Sequence, residues 1–296
     1  MRFRRLSAIA VSAVAALTLA ACGGGGESSS GGGAEPAAAS DFPEGSTMAR
    51  LAQQGSITIG TKFDQPGFGL QGLDGKPAGF DVEIAKYVAS KLGISEDNIE
   101  WVETPSQVRE EVIEQGRVDM VVATYTINDE RKQRVTFAGP YYEAGQALMV
   151  RSDDTTVTGP DSLRAAGTRV CSVAGSTPSQ EILNYVDESQ LTLFDVYSKC
   201  ADALRTNQVD AVTTDNVILL GFVADSDGAF KLAGDTFTKE PYGIGIKKGD
   251  VAFCEFINQA LQEAQSSGAY AEAWESTAGQ IAEVTTPSLP ELEPCA

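Results

Sequence analysis

The chain has 296 residues, 41 of them acidic and 22 basic, with no histidine and a formal net charge of −19. That balance lacks the basic footprint a nucleic-acid binder needs. The absence of histidine also removes Ser-His and Cys-His nucleophiles and histidine-ligated metals. An anionic ligand would have to be drawn in by a local cluster of cations, which makes each well-placed Arg or Lys informative.

Met1-Arg2-Phe3-Arg4-Arg5 is basic, and Leu6 to Ala20 is apolar. About 15 apolar residues are too few to span a bilayer as a helix, which takes about 20. The pattern predicts a removable signal peptide over 1–21. Leu19-Ala20-Ala21-Cys22 resembles a bacterial lipobox, so Cys22 is the expected lipid acceptor, tethering the protein to the outer face of the cell membrane. The Gly- and Ser-rich stretch that follows predicts a flexible tether over 22–45.

Further along, Ser56 to Gly60 alternates as a short strand, and Gly79 to Leu92 carries apolar residues at helical spacing. Ile99 to Val102 reads as a strand, Ser106 to Gly116 as a helix, and Val118 to Ala123 as a continuous apolar strand covered on both faces. The pattern restarts after Val150. Thr168–Val173, Leu191–Asp195 and Val209–Thr213 read as strands, with helices over Pro178–Val186 and Ser198–Asn207 between them. Tyr242 to Lys247 is an alternating strand; helices over Gly249–Ser267 and Ala269–Ser276 follow, then a Pro-containing extended tail over 283–296. Strand alternating with helix predicts doubly wound α/β sheets, here as two lobes with a cleft between them.

Ligands in such sheets gather beyond the carboxyl ends of strands. Thr124 to Arg131 follows the apolar strand ending at Ala123, with threonine hydroxyls as directional partners and Arg131 as a planar fork for a carboxylate, or else as a surface ion pair. In Gly175-Ser176-Thr177-Pro178-Ser179-Gln180, Thr177 reads as a helix N-cap and Gln180 as its capping-box partner. Free amides at such a terminus favour an anion. Asp215 ends another apolar strand, where it could pair with an ammonium or simply cap the next helix. Lys62 follows the first strand and Arg109 starts a helix; the bland alternatives are a solvated lysine and an Arg109 paired with Glu110 or Glu114. Beyond Cys22, Cys171, Cys200, Cys254 and Cys295 allow three disulfide pairings.

Gly79-Phe-Asp-Val-Glu-Ile-Ala-Lys-Tyr-Val-Ala, Val118 to Arg131, Phe137-Ala-Gly-Pro-Tyr-Tyr142, Asp210 to Asp215 and Tyr242-Gly-Ile-Gly-Ile246 occur in this order. Together they resemble the family 3 extracellular solute-binding proteins, the polar amino-acid receptors of ABC importers. Cys171 to Pro178, Tyr197-Ser-Lys-Cys200 and Gly60 to Pro66 resemble the actinobacterial glutamate-binding lipoproteins among them. The resemblance implies a two-lobed, type II periplasmic-binding-protein-like fold with lobe one at 55–149 plus 244–282, lobe two at 150–243, and hinges near Val150 and Tyr242. It implies the pairs Cys171–Cys200 and Cys254–Cys295, each within one lobe. It places an α-carboxylate clamp on Arg131 with Thr126 and Thr177, an ammonium partner on Asp215 with the Thr124 carbonyl, and Ser176 among the ligand-binding residues. Lys62 and Arg109 stand where acidic-amino-acid receptors carry basic residues, and Tyr197 is positioned to touch the ligand. The implied function is capture of L-glutamate or a related polar amino acid by a monomer that hands it to permease subunits. No cofactor, metal or catalysis is expected, and a small dehydratase or lyase is the enzymatic rival on the same fold.

Overall fold

The computed structural model describes residues 39–164, 167–281 and 285–296; the expected signal peptide, Cys22 and most of the expected tether lie outside the described residues. The strands in chain order are β1 (Ile57–Thr61), β2 (Asp64–Gln65), β3 (Gly69–Gln71), β4 (Pro77–Ala78), β5 (Ile99–Glu103), β6 (Met120–Val121) and β7 (Val135–Ala144). They continue as β8 (Gln146–Arg151), β9 (Val170–Val173), β10 (Leu191–Phe194), β11 (Ala211–Asp215), β12 (Phe230–Ala233) and β13 (Glu240–Lys247). One five-stranded sheet runs β5-β1-β6-β13-β7 and a second runs β10-β9-β11-β8-β12, while β2, β3 and β4 form a small antiparallel sheet. Both large sheets follow one plan: three parallel strands, then two antiparallel ones.

The chain leaves the first sheet at Ala144, enters the second at Gln146, and returns along 234–239. The crossovers therefore fall at Gly145 and ahead of Glu240 rather than at Val150 and Tyr242. Gln146–Arg151 already pairs in the second sheet, and Tyr242 already pairs with Tyr142 in the first. The two connectors lie side by side: Gln146 N donates to Thr238 Oγ1 at 3.0 Å. A Cβ on Gly145 would come within 2.8 Å of the Thr238 carbonyl oxygen, so only glycine fits there.

Helix Phe80–Lys91 buries Phe80, Ile84, Ala85 and Val88 against the first sheet, as its spacing predicts. Val118–Ala123 pairs as a strand only at Met120–Val121, because the chain turns away at Thr124. The first sheet's core is aromatic: the Phe68 ring meets Phe80, Tyr142, Tyr242 and Trp274 edge-on, with centroids 6.0 to 6.3 Å apart. Helices Tyr197–Arg205 and Asn216–Ala224 cover the second sheet with Leu204, Ile218 and Leu219. Cys171–Cys200 ties β9 to the first of these, and Cys254–Cys295 fastens the tail to helix Val251–Ser267. The tail has no regular structure over 285–296 but is packed, with Leu289 and Leu292 on the core and Glu293 N donating to the Gly139 carbonyl at 2.7 Å. At the other end packing has begun by Phe42, inside the expected tether, where its ring stands edge-on to Phe256.

Candidate functional site

The carboxyl ends of β1 and β6 lie side by side, which brings Lys62 beside the 123–126 turn. Thr124 has a left-handed backbone, φ 45°, costly for a β-branched residue and therefore held by its surroundings. Its N–H donates to Asp81 Oδ2 at 2.7 Å and its hydroxyl to Gln65 Oε1 at 3.0 Å. Asp81 Oδ1 accepts from the Tyr141 hydroxyl at 2.6 Å. Burial raises Asp81 to about 7 despite these donors. The Lys62 ammonium donates to Ser106 Oγ at 2.8 Å. Burial, and Arg109 beside it, lower Lys62 to about 7, so the solvated alternative does not hold.

Arg109 and Arg131 both lie over the Tyr125 ring, at 4.2 and 5.1 Å from its centroid. Arg109 is buried and pairs with neither Glu110 nor Glu114. One terminal nitrogen donates to the Ala123 and Thr124 carbonyls at 2.9 and 3.2 Å, and its Nε has no partner. Glu114 is taken by Arg134 and Glu110 by Arg131 Nε at 3.3 Å. Asn128 caps the short helix Asp129–Lys132 and so orients Arg131. Arg131 Nη1 donates to the Thr126 carbonyl at 2.7 Å and Nη2 to the Gly175 carbonyl at 3.1 Å. A guanidinium has five N–H donors; these contacts leave one N–H on each terminal nitrogen. Burial lowers Arg131 to about 10, with Arg109 adding to the effect.

Gly175 follows β9 of the second sheet and Thr126 follows β6 of the first, so Arg131 bridges the two sides. A Cβ on Gly175 would sit 2.7 Å from Gln107 Cα, and its φ is +74°, so glycine alone permits this approach. The helix cap lies one residue from where the sequence predicts it. Ser176 Oγ, not Thr177, accepts from Ser179 N at 3.1 Å, and the Thr177 hydroxyl is buried without a partner. Asp215 is N-terminal to helix Asn216–Ala224, yet its side chain makes no cap. Instead Oδ2 accepts from the Tyr242 hydroxyl at 2.6 Å and Oδ1 is unpartnered. Burial and the charge of Glu240 raise Asp215. Burial and the charge of Asp215 raise the Tyr197 phenol to about 12.

Lys62, Arg109, Arg131, Thr124, Thr126, Ser176, Tyr197 and Asp215 are all buried, and Thr177 is half-buried. Electrostatic coupling links Asp215 to Arg109 and Arg131, and Lys62 to both arginines, so the set is one cluster. A pocket of about 180 Å³ beside it is bounded by Ser106, Glu110, Asn128, Arg131 and Gly175. Sequence reasoning missed Gln65, Asp81, Ser106, Tyr242 and Glu240. Gln65 Nε2 and Glu240 Oε2 are buried without partners. Asp81 lies within the Gly79–Ala89 stretch, and only its contact with Thr124 reveals what it does.

The model of the bacterial extracellular solute-binding proteins, family 3, matches residues 57–278. The chain is 39% identical to the glutamate-binding protein GluB of Corynebacterium efficiens over 97% of this chain and 95% of that one. It is 37% identical to the glutamine-binding protein GlnH of Bacillus subtilis, over 89% and 93%. Among solved structures, the L-cysteine receptor of Neisseria gonorrhoeae superposes with a TM-score of 0.75 at 27% identity, covering 83% of this chain and 100% of that one. An ancestral arginine-binding protein bound to glutamine gives 0.70 at 34% identity, covering 75% and 97%. These relatives are amino-acid-binding proteins, and the fold is that of the type II periplasmic amino-acid binders. The chain belongs to the family 3 extracellular solute-binding proteins.

Proposed function

We propose that this protein is the lipid-anchored substrate-binding subunit of an amino-acid ABC importer and that it closes on L-glutamate. One observation carries the reading: Arg131, on a short helix beside the first sheet, keeps an N–H on each terminal nitrogen, while Asp215 on the second sheet keeps Oδ1 unpartnered. A fork and a carboxylate, brought together in a buried cluster, match the two charged groups of an α-amino acid. Thr126, Thr177 and Ser176 assist the carboxylate clamp, and the Thr124 carbonyl assists Asp215. The two sheets, with their helices, act as lobes that rotate about Gly145 and 234–239, and no bond is made or broken.

Glutamate is favoured because Lys62 and Arg109 are both buried beside the clamp and neither makes an ion pair with a carboxylate among the described residues. A second carboxylate would restore charge to Lys62, whereas an amide would leave it to bear the cost of burial alone. The GluB relatives support glutamate and the GlnH relative supports glutamine. Aspartate and asparagine are the other candidates, and one structural neighbour is an ancestral precursor of cyclohexadienyl dehydratase. Calorimetric titration of the ligand-free protein with the twenty amino acids tests the assignment. Glutamate is expected to bind tightest, a tighter glutamine isotherm would move the ligand to the amide, and no binding at all would refute amino-acid capture.

A further inference from the structure

Helix Tyr197–Arg205 starts without a cap of its own. Its N-cap residue is Val196, which has no side-chain acceptor, although the first N–H groups of a helix need partners. Those partners come from the other side of the cleft. Asp64, on β2, accepts from Tyr197 N at 2.7 Å and from Ser198 N at 3.2 Å through the single oxygen Oδ2. A carboxylate at this end also meets the positive pole of the helix dipole.

The contact joins two parts that carry site residues. On one side, Lys62 lies two residues before Asp64 and Gln65 directly follows it. On the other, Tyr197 opens the helix, and Cys200 on the same helix is bonded to Cys171 of β9, next to Ser172. A second close approach lies on the same edge: a Cβ on Gly221 would come within 2.6 Å of the Pro66 carbonyl oxygen. The segment 64–66 is therefore pressed against two helices of the second sheet. Asp64 itself is half-buried and makes no ion pair with a lysine or arginine among the described residues.

We propose that Asp64 is a positioning residue that latches the cleft shut, capping helix Tyr197–Arg205 across the two lobes and lengthening ligand residence without touching the ligand. The proposal rests on amino-acid capture, but it makes a different demand. A ligand contact changes which amino acid is preferred, whereas a latch scales the affinity for all of them by one factor.

The test compares wild type with D64N and D64A, titrated with glutamate and with glutamine, with stopped-flow release as the kinetic readout. Loss of a helix cap to alanine is expected to weaken both ligands by about tenfold, mostly through faster release. D64N, which keeps one acceptor, falls between, and the glutamate-to-glutamine ratio stays at its wild-type value in both variants. Unchanged affinity in D64A, or a shifted ratio, overturns the latch; a shifted ratio would mean that Asp64 acts on the ligand through Lys62. Should wild type bind no amino acid, the functional reading falls by itself. The latch is then read from amide exchange at Tyr197 and Ser198 in the protein alone. Exchange is expected to be faster in D64A, and equal rates overturn the latch.

Discussion

Arg131 is held by an ion pair at Nε and by two carbonyl acceptors, one on each terminal nitrogen, and this shapes what its removal does. R131A deletes the carboxylate fork and leaves the Glu110 carboxylate and the Thr126 and Gly175 carbonyls to find other donors. Breaking a buried pair costs about 3–5 kcal/mol, so affinity for every amino acid is expected to fall by at least about a hundredfold. R131K should restore little, since an ammonium cannot serve three acceptors and a bidentate carboxylate in one plane. Calorimetry checks this, with the melting transition as control for folding. Affinity within tenfold of wild type in R131A would place the clamp elsewhere. Lys62 differs because its proposed partner is the ligand's side chain. K62M is expected to weaken glutamate by about thirtyfold or more, the cost of truncating one member of a buried charge pair, and glutamine only severalfold. Equal losses would remove Lys62 from the specificity role. The aromatic residues beneath act indirectly: the Tyr141 and Tyr242 hydroxyls reach out of the Phe68 cluster to fix Asp81 and Asp215.

Among the elements, the parts best read from sequence are those with a clear period or a local cap. Helix Phe80–Lys91 and strands β1, β5 and β10 fall within two residues of where the sequence puts them, and in the helix it is burial of one face that fixes the pattern. Helix Asn216–Ala224 is legible only as the helix that Asp215 could cap, without bounds, because Asn-Val-Ile-Leu-Leu-Gly-Phe-Val-Ala is apolar nearly all round and carries no period. The Ser176 cap was misplaced by one residue because serine and threonine are interchangeable there in local chemistry, and only backbone geometry chooses between them. Arg109 was legible as a cation but not as the partner of two main-chain carbonyls, since those contacts join residues 14 and 15 apart. The tail shows the same limit. Its composition reads as extended, with only the expected Cys254–Cys295 pair to hold it, yet Leu289 and Leu292 also anchor it, and Lys132–Glu293 at 2.6 Å ties it to the helix that carries Arg131. The Cys254–Cys295 bridge closes a loop of 41 residues. Chain-entropy reasoning gives such a bridge about 3–4 kcal/mol. The double variant C254A/C295A is expected to melt about 10 °C lower by calorimetry, and a change under 2 °C would mean that the packed leucines alone hold the tail.

For the whole molecule, the buried charges couple stability, pH and ligand. The folded protein holds Asp81 at about 7 against an ordinary 3.8, so between those values it carries a proton that the unfolded chain has lost. This group's stability is full at low pH and is lost as pH rises through about 7. Lys62 works in the opposite sense: folded at about 7 against 10.5, it lacks a proton that the unfolded chain keeps, so its contribution grows as pH rises from about 7 towards 10.5. Together these two groups place a stability minimum of the ligand-free protein near neutrality. D81N is expected to flatten the acid limb and K62M the alkaline limb in melting curves taken across pH. A ligand carboxylate beside Lys62 would raise that ammonium again, so binding above pH 7 must draw a proton from the buffer. About pH 8 is the place to look, since Asp81, at about 7, is mostly ionised there. Titrations at that pH in phosphate and in Tris, whose ionisation enthalpies differ, give the proton count from the difference in binding heats. Glutamate is expected to take up a substantial fraction of a proton, glutamine much less, and K62M with glutamate much less. Equal uptake for the two ligands would separate Lys62 from the side-chain carboxylate, even where overall affinity still favours glutamate.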